Sequence, residues 1–475
     1  MHALQLSRVA FLGGRDGKLN AVTDAQRKPI FVEGGCFDLR KRSRPSKQML
    51  WIGAKLEVSV EDAESVHDAK NVQKKDKVIV ISGPTGVGKS RLAIALAKKL
   101  GGEIISADSV QVYKGLDVGS AKITQVDREG IPHHLLDLVH PTQEYTAAQF
   151  CDDARRATIE ILSRKHIPIV VGGTGMYLRC YLYGKPSTPK PTEEVTAIVD
   201  AELSELSQKD DWDAAVELLI KAGDQNGAKT ISRNDWYRLQ RALTIIRETG
   251  FPQSSFPYVG NPTEKKMIST SNGLNGQQTR NERDPGSELD YNFMCYFLHA
   301  TRRDELYRSI DLRCEEMLSD SIGLLTEASW LLDMGLQPNS SSPSRAIGYR
   351  QAMDYLSKCR KAGGISSQAE FLKFLYTFQH ASRNYAKRQF TWFRKEHLFD
   401  WIDALQPLEK LIEFLADEYH KPAGVTMNSE VKAQSHSMSS FELERVKSYK
   451  SENRIFRDSR ACSLILDWIK KSQSC

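Results

Sequence analysis

Residues 83 to 90 read GPTGVGKS and fit the pattern Gly-x-x-x-x-Gly-Lys-[Ser/Thr]. Gly83, Gly86 and Gly88 let the backbone N–H groups of the loop, including those of Thr85 and Val87, turn toward a phosphate at a helix N-terminus. Pro84 has no N–H to give and is part of the same turn. Lys89 adds a point charge, and the Ser90 hydroxyl can hold Mg²⁺. The chemistry implied is binding of a polyphosphate.

Further along, Asp108 ends the segment GEIISAD. A carboxylate at the C-terminal end of a parallel strand faces the ligand crevice, where it can act as a base or a metal ligand. The plainer alternative is an Asx turn or a helix cap. The strand IPIVV (167–171) runs into Gly172, Gly173 and Thr174. A P-loop NTPase would be expected to carry an Asp at such a strand end. Glycines there suggest close approach by a ligand, and Thr174 offers a hydroxyl; a bare strand-to-helix turn would read the same way.

Two later stretches are rich in arginine. SRAIGYRQ (344–351) sets Arg345 and Arg350 around a Gly-Tyr pair, and RNYAKRQFTWFRK (383–395) mixes Arg383, Lys387, Arg388 and Arg394 with Tyr385, Phe390, Trp392 and Phe393. Basic residues among aromatics suit a phosphate-and-base surface. An amphipathic helix with its rings in the core gives the same pattern. In YRLQRA, Arg238 and Arg241 are three apart and share a helix face.

These residues need a scaffold. KVIVIS, GEIISAD, IPIVV and YNFMCYFLHA read as buried strands, and RLAIALAKKL and YTAAQFCDDARRATIEILSRK as helices, the latter with Thr146 and Gln149 at capping-box spacing. Alternating strands and helices predict an α/β fold, a parallel sheet flanked by helices. Six spans follow. Residues 1–76 form a disordered or targeting extension, 77–187 the first part of the P-loop core, and 188–259 a helical insertion without strands. Residues 260–289 form a flexible polar loop, 290–405 the second part of the core, and 406–475 a partly disordered tail, loose over 421–460. The basic run RKRSRPSK (40–47) could serve nuclear import, whereas Asp16, Asp24, Glu33 and Asp38 count against a transit peptide.

Composition adds bounds. The chain has 475 residues, a net charge of +6, 40% apolar and 27% charged residues. No apolar run is long enough for a transmembrane helix. The 8 cysteines are scattered with no Cys-x-x-Cys pair, which supports neither a disulfide framework nor a zinc site.

In order, the blocks GPTGVGKS, ISADSVQVYKGLDVGSAK, IPHHLLD, YTAAQF, PIVVGGTGMYL, RLQRAL, RAIGYRQ and AKRQFTWFR resemble the tRNA dimethylallyltransferases, in the bacterial-type branch found in plants. The resemblance spans about residues 77 to 402. It implies transfer of a dimethylallyl group from dimethylallyl diphosphate to N6 of adenosine 37, beside the anticodon of tRNA, with Mg²⁺ as cofactor. It implies that the P-loop holds the donor's diphosphate, that Arg345 stabilises that leaving group, and that Asp108 takes the N6 proton. Ser109, Val110 and Gln111 with Thr174 would meet the base, while the insertion and Arg350, Lys387, Arg388 and Arg394 would grip the anticodon stem-loop. A monomer in the cytoplasm is expected, with plastid or mitochondrion as alternatives. Because every block lies between residues 77 and 420, that span is expected to suffice for the chemistry. The rival readings are an adenylate isopentenyltransferase making free cytokinin and a P-loop small-molecule kinase using ATP. The C-terminal zinc finger of some eukaryotic members has no counterpart, since only Cys462 and Cys475 lie there.

Overall fold

The run KVIVIS forms β1 (Lys77–Ser82). Its branched side chains suit a strand buried on both faces: Val78 and Val80 pack into one layer, Ile79 and Ile81 into the other. The remaining strands are β2 (Gly102–Ser106), β3 (His133–His134), β4 (Ile167–Val171), β5 (Asn292–His299) and β6 (Phe399–Asp403). They make a sheet of order β3-β2-β4-β1-β5-β6 with every pairing parallel. The computed structural model describes residues 75–256, 291–319, 323–421 and 440–474. All of them belong to one unit, Val72–Cys475; the unit Met1–Asn71 and the expected loop 260–289 lie outside the described residues.

Register positions the site. Ile81 pairs with Val171, Ser106 with Val171, and Ser82 with Phe297. The C-terminal ends of β2, β4, β1 and β5 are therefore side by side. The P-loop, the segment after Ser106 and the turn after Val171 open on one rim of the sheet, as crevices of parallel sheets do. Helices Lys89–Leu100 and Leu408–His420 cover one face. Helices Ala147–Ser163, Gly175–Tyr183, Arg303–Ser319 and Gln368–Phe393 cover the other. The capping box of Thr146 and Gln149 is formed. Among the described residues, no helix is long and apolar enough to cross a membrane.

The insertion has its own core. Helices Glu193–Gln208, Trp212–Lys221, Gln225–Thr230 and Trp236–Thr249 start at the capping residues Thr192, Asp211, Asp224 and Asp235. They bury Val199, Leu203, Trp212, Leu219, Leu239 and Leu243 against one another, separately from the sheet.

Two features depart from expectation. β3 and β6 add strands where the sequence suggests loop and the end of a helix; FDWID is too short for its apolar pattern to separate helix from strand. The expectation of a loose stretch over 421–460 is corrected over 440–460, where the helix Ser440–Lys447 forms and Phe456 is buried in the main core; the helix Ser459–Ser472 follows, with Cys462 and Ile469 buried there too. Residues 422–439 lie outside the described residues.

At the N-terminal end of β2, Glu103 is buried and accepts from Arg164 at 3.1 and 2.8 Å, and meets His134 and His166 at 2.6 Å each. Burial acts to raise its carboxyl, but the hydrogen bonds from Arg164, His134 and His166 outweigh it and hold the group down at about 2. This depressed value stabilises the fold above the ordinary carboxyl range, and the contribution is lost as pH falls through about 2. Glu103→Gln is expected to cost about 2–3 kcal/mol at pH 7, a gap to wild type that narrows steadily below pH 4.5. Thermal melts over a pH series read it, and a gap that is constant with pH would exclude the ionised form as its source.

Candidate active site

The P-loop is folded as its residue types require. Gly83 has φ 151°, and a Cβ on it would lie 2.6 Å from the Leu298 carbonyl oxygen. Gly88 takes a left-handed conformation at the start of Lys89–Leu100, a helix with no side-chain cap and no acid in its first turn. Its first N–H groups are left for an anion. Lys89 Nζ donates to the carbonyls of Gly83 at 2.9 Å and Pro84 at 2.8 Å. Burial and then the neighbouring Arg313 push the Lys89 ammonium down to about 7, against a raising effect of Asp108. Ser90 is exposed at the loop's end.

Asp108 follows β2 and lines a cavity of about 550 Å³ together with Thr85, Ser109, Val110 and Arg313. One carboxylate oxygen, Oδ1, accepts from the N–H of Val110 at 2.9 Å and of Gln111 at 3.4 Å. The Asx turn is thus real, yet it uses one oxygen. No hydrogen bond to the other is formed among the described residues, and Asp108 acts electrostatically on Lys89, Arg313, Tyr177 and Tyr385. The two readings of this residue are compatible.

The glycines after β4 serve protein packing. A Cβ on Gly172 would run into the Ala107 carbonyl, and one on Gly173 into the Gln389 side chain. The suggestion that they clear space for a ligand is corrected on those contacts. Thr174 Oγ1 accepts from the Ser109 N–H at 3.1 Å and so ties the two strand ends together. Gln111 is engaged internally: Ser106 Oγ donates to its Oε1 at 2.9 Å, and its Nε2 donates to the Ser120 carbonyl at 3.2 Å.

The wall contributed by other elements is basic. Arg345 lines the cavity, donates to Ser342 Oγ at 3.2 Å and lies over the Tyr237 ring at 4.8 Å. Tyr237 belongs to the insertion, so the cavity runs from the P-loop to the inserted helices. Arg388 also lines it; burial, then Arg238 and Arg350, lower its guanidinium, partly offset by Tyr385 and Asp235. Three arginines from three segments therefore share one field. Arg238 pairs with Asp235 at 3.4 Å, while Arg241 has neither hydrogen bond nor ion pair among the described residues. Lys387 and Arg394 are exposed on the helix Gln368–Phe393 and at its end. Arg383 is not: it is buried against Asp311, and Phe390 and Phe393 are core. For those residues the amphipathic-helix reading holds.

Two site residues escape the sequence reading. Arg313 donates to Thr85 Oγ1 at 2.8 Å and so reaches the P-loop. Buried Gln389 accepts from the Thr85 N–H at 2.9 Å and donates to the Gly173 carbonyl at 3.0 Å, clamping the P-loop to the end of β4; the expectation that the Thr85 amide faces a phosphate is corrected, since Gln389 occupies it. Gln389 stands inside AKRQFTWFR, a block that could have pointed to it; Arg313 sits in DLRCEEM, which carries no motif.

This is a P-loop α/β protein whose cavity opens beside the loop and is arginine-walled toward an inserted helical domain. A family model described as IPP transferase matches residues 111–396, and one described as isopentenyl transferase matches 76–142. "tRNA dimethylallyltransferase 9" of Arabidopsis thaliana is 50% identical over 86% of this chain and 88% of its own length. "tRNA dimethylallyltransferase" of Protochlamydia amoebophila is 38% identical over 74% and 91%. A crystal structure described as a eukaryotic dimethylallyltransferase acting on tRNA aligns with a TM-score of 0.53 at 25% identity, covering 78% of this chain and 84% of that one. The chain belongs to the IPP transferase family, the tRNA dimethylallyltransferases.

Proposed function

We propose that this protein transfers a dimethylallyl group from dimethylallyl diphosphate to N6 of adenosine 37 of tRNA. The observation that carries the reading is the continuous cavity joining Thr85, Asp108 and Arg313 to Arg345, Arg388 and Tyr237 of the insertion. One end suits a diphosphate and the other a polyanion.

In this reading the P-loop amides, Lys89 and Arg313 hold the donor's diphosphate. Arg345, which lines the same cavity, adds to the positive field. Stabilised in this way, the diphosphate departs with the C1–O electrons and leaves an allylic cation. Ile310, Met317, Ile347 and Phe378 supply apolar walls suited to the five-carbon group. The adenine leaves the anticodon stack at a cost of about a few kcal/mol. Its N6 bonds to C1, and the proton it sheds goes to the open oxygen of Asp108. Ser109 and Val110, which line the cavity, would border the base, while Thr174 does not line it and would act by holding the Ser109 amide.

Mg²⁺ fits as an ion carried by the substrate. No group of three or more His, Cys, Asp or Glu residues among the described residues could cage a metal, and Mg²⁺ commonly binds phosphate oxygens with few protein ligands. Ser90 would be its protein ligand, and the ion would neutralise charge on the diphosphate.

Labelled dimethylallyl diphosphate offered with tRNA, with AMP, or replaced by ATP separates the readings. Label is expected in tRNA; label in AMP alone would make the protein an adenylate isopentenyltransferase, and ATP turnover without prenyl transfer a kinase.

Arg238, Arg241, Arg350 and Arg388 should bind the anticodon stem-loop by its phosphates. Each phosphate that a variant no longer neutralises should flatten the log–log salt dependence by about 0.7–0.9. Arg238→Ala with Arg241→Ala is expected to flatten the slope and raise the KM for tRNA, leaving that for the donor unchanged. An unaltered slope in filter binding would remove the insertion from the RNA site.

A further inference from the structure

We propose that residues 444–474 form a strap that positions Arg313 at the P-loop by gripping the opposite side of its helix. The proposal rests on the diphosphate-binding role given to that loop above.

Of the five acids on the helix Arg303–Ser319, three are buried: Asp304, Asp311 and Glu315. At about 100° per residue they fall within one narrow stripe, and Arg313 lies about 180° away on the other face. All three acids are buried. Each is met by the strap. Asp304 takes Arg445. Asp311 accepts from Tyr449 Oη at 2.8 Å and Ser451 Oγ at 2.7 Å. Glu315 is fully buried and accepts the backbone N–H groups of Arg454, Ile455 and Phe456 at 2.7 to 3.0 Å. Phe456 then packs edge-on against Phe371 with ring centroids 4.9 Å apart.

The far face of the same helix abuts the P-loop. Ser309 Oγ donates to the Gly86 carbonyl at 3.2 Å, and Arg313 donates to Thr85 Oγ1. The helix is thus held between the strap and the loop. A fully buried carboxylate whose acceptor capacity is met by three strap amides costs several kcal/mol to leave unpaired, so strap and helix move as one. A displacement of about 1 Å at a catalytic group is enough to lose about 10²-fold in rate, so the strap sets the aim of Arg313. On this proposal residues 77–420 would bind the donor poorly, because that span omits every one of these partners.

The test uses the full-length chain. Glu315→Ala empties the amide cradle, and the milder pair Tyr449→Phe with Ser451→Ala strips two hydrogen bonds from Asp311. Both are expected to weaken binding of inorganic diphosphate, read by calorimetry, and to raise the KM for dimethylallyl diphosphate about fivefold or more, with the KM for tRNA within about twofold. In an Arg313→Ala background the same changes should add less than about twofold, since groups acting through one residue are non-additive. Should Glu315→Ala fail to fold, the Tyr449/Ser451 pair decides. Full multiplication of the effects in the Arg313→Ala background would overturn the proposal, as would donor and tRNA KM values rising together in step with lost thermal stability. Wild-type protein that binds diphosphate but prenylates nothing would count against the transfer reading and leave the strap to the diphosphate titration alone.

Discussion

Asp108→Asn is expected to lower the single-turnover rate of prenyl transfer by about 10²–10⁴-fold, the usual worth of a general base, while tRNA binding stays near wild type. The substitution is clean because of how the residue is held. Oδ1 accepts from Val110 and Gln111, and the Asn amide oxygen can accept from the same two N–H groups. The turn after β2 survives and only the proton acceptor is lost. One side effect is electrostatic. Asp108 raises the Lys89 pKa, so the variant should hold its diphosphate somewhat less well. Rapid-quench measurement at saturating donor separates that from the chemical step, and a rate within threefold of wild type would exclude Asp108 as the base.

Lys89→Ala should cost about 10²–10³-fold in kcat, the scale of one preorganised donor to a developing anion, and should also weaken donor binding. Arg313→Ala should do the same to a lesser degree, and Arg345→Ala least, because Arg313 touches Thr85 whereas Arg345 rests on Tyr237. If Arg345→Ala proved the most damaging of the three, the ordering of the two arginines would be reversed.

The depressed Lys89 ammonium, at about 7, adds a pH signature. Between pH 7 and 10.5 the unfolded chain keeps this proton and the folded protein does not, so stability rises with pH across that window. Below about 7 the charged, crowded ammonium costs stability. A bound diphosphate reverses the balance by restoring the charged form. Donor binding at pH 8 is therefore expected to take up a proton, and Lys89→Ala should bind without that uptake. Titration calorimetry in buffers of differing ionisation enthalpy reads the difference directly.

The strand ends carry their own message in sequence because parallel strands buried on both faces are continuous β-branched runs. KVIVIS, GEIIS and IPIVV identify themselves, and the ligand-binding segments must follow them. The P-loop is legible for a similar reason: the left-handed turn at Gly88 and the close passage of Gly83 past Leu298 both favour glycine. Capping boxes such as Thr146–Gln149 are local, so spacing reveals them. The sequence alone therefore settled the α/β core, the position of the glycine-rich loop, the helical insertion and the candidacy of Asp108. What it could not settle depends on contacts between distant segments. Gly172 and Gly173 look like room for a ligand until Ala107 and Gln389 are seen against them. Arg383 looks like the exposed Lys387 and Arg394 of the same stretch until Asp311, 72 residues away, neutralises it. Arg313 has no motif, and only the packing of its helix over the P-loop makes it a site residue. The polar segment after residue 440 reads as loose because its order comes from three carboxylates buried on another helix, and no local pattern of apolar residues records that. Helix and strand periodicity are written within a dozen residues; the pairing of a buried charge is written by the fold.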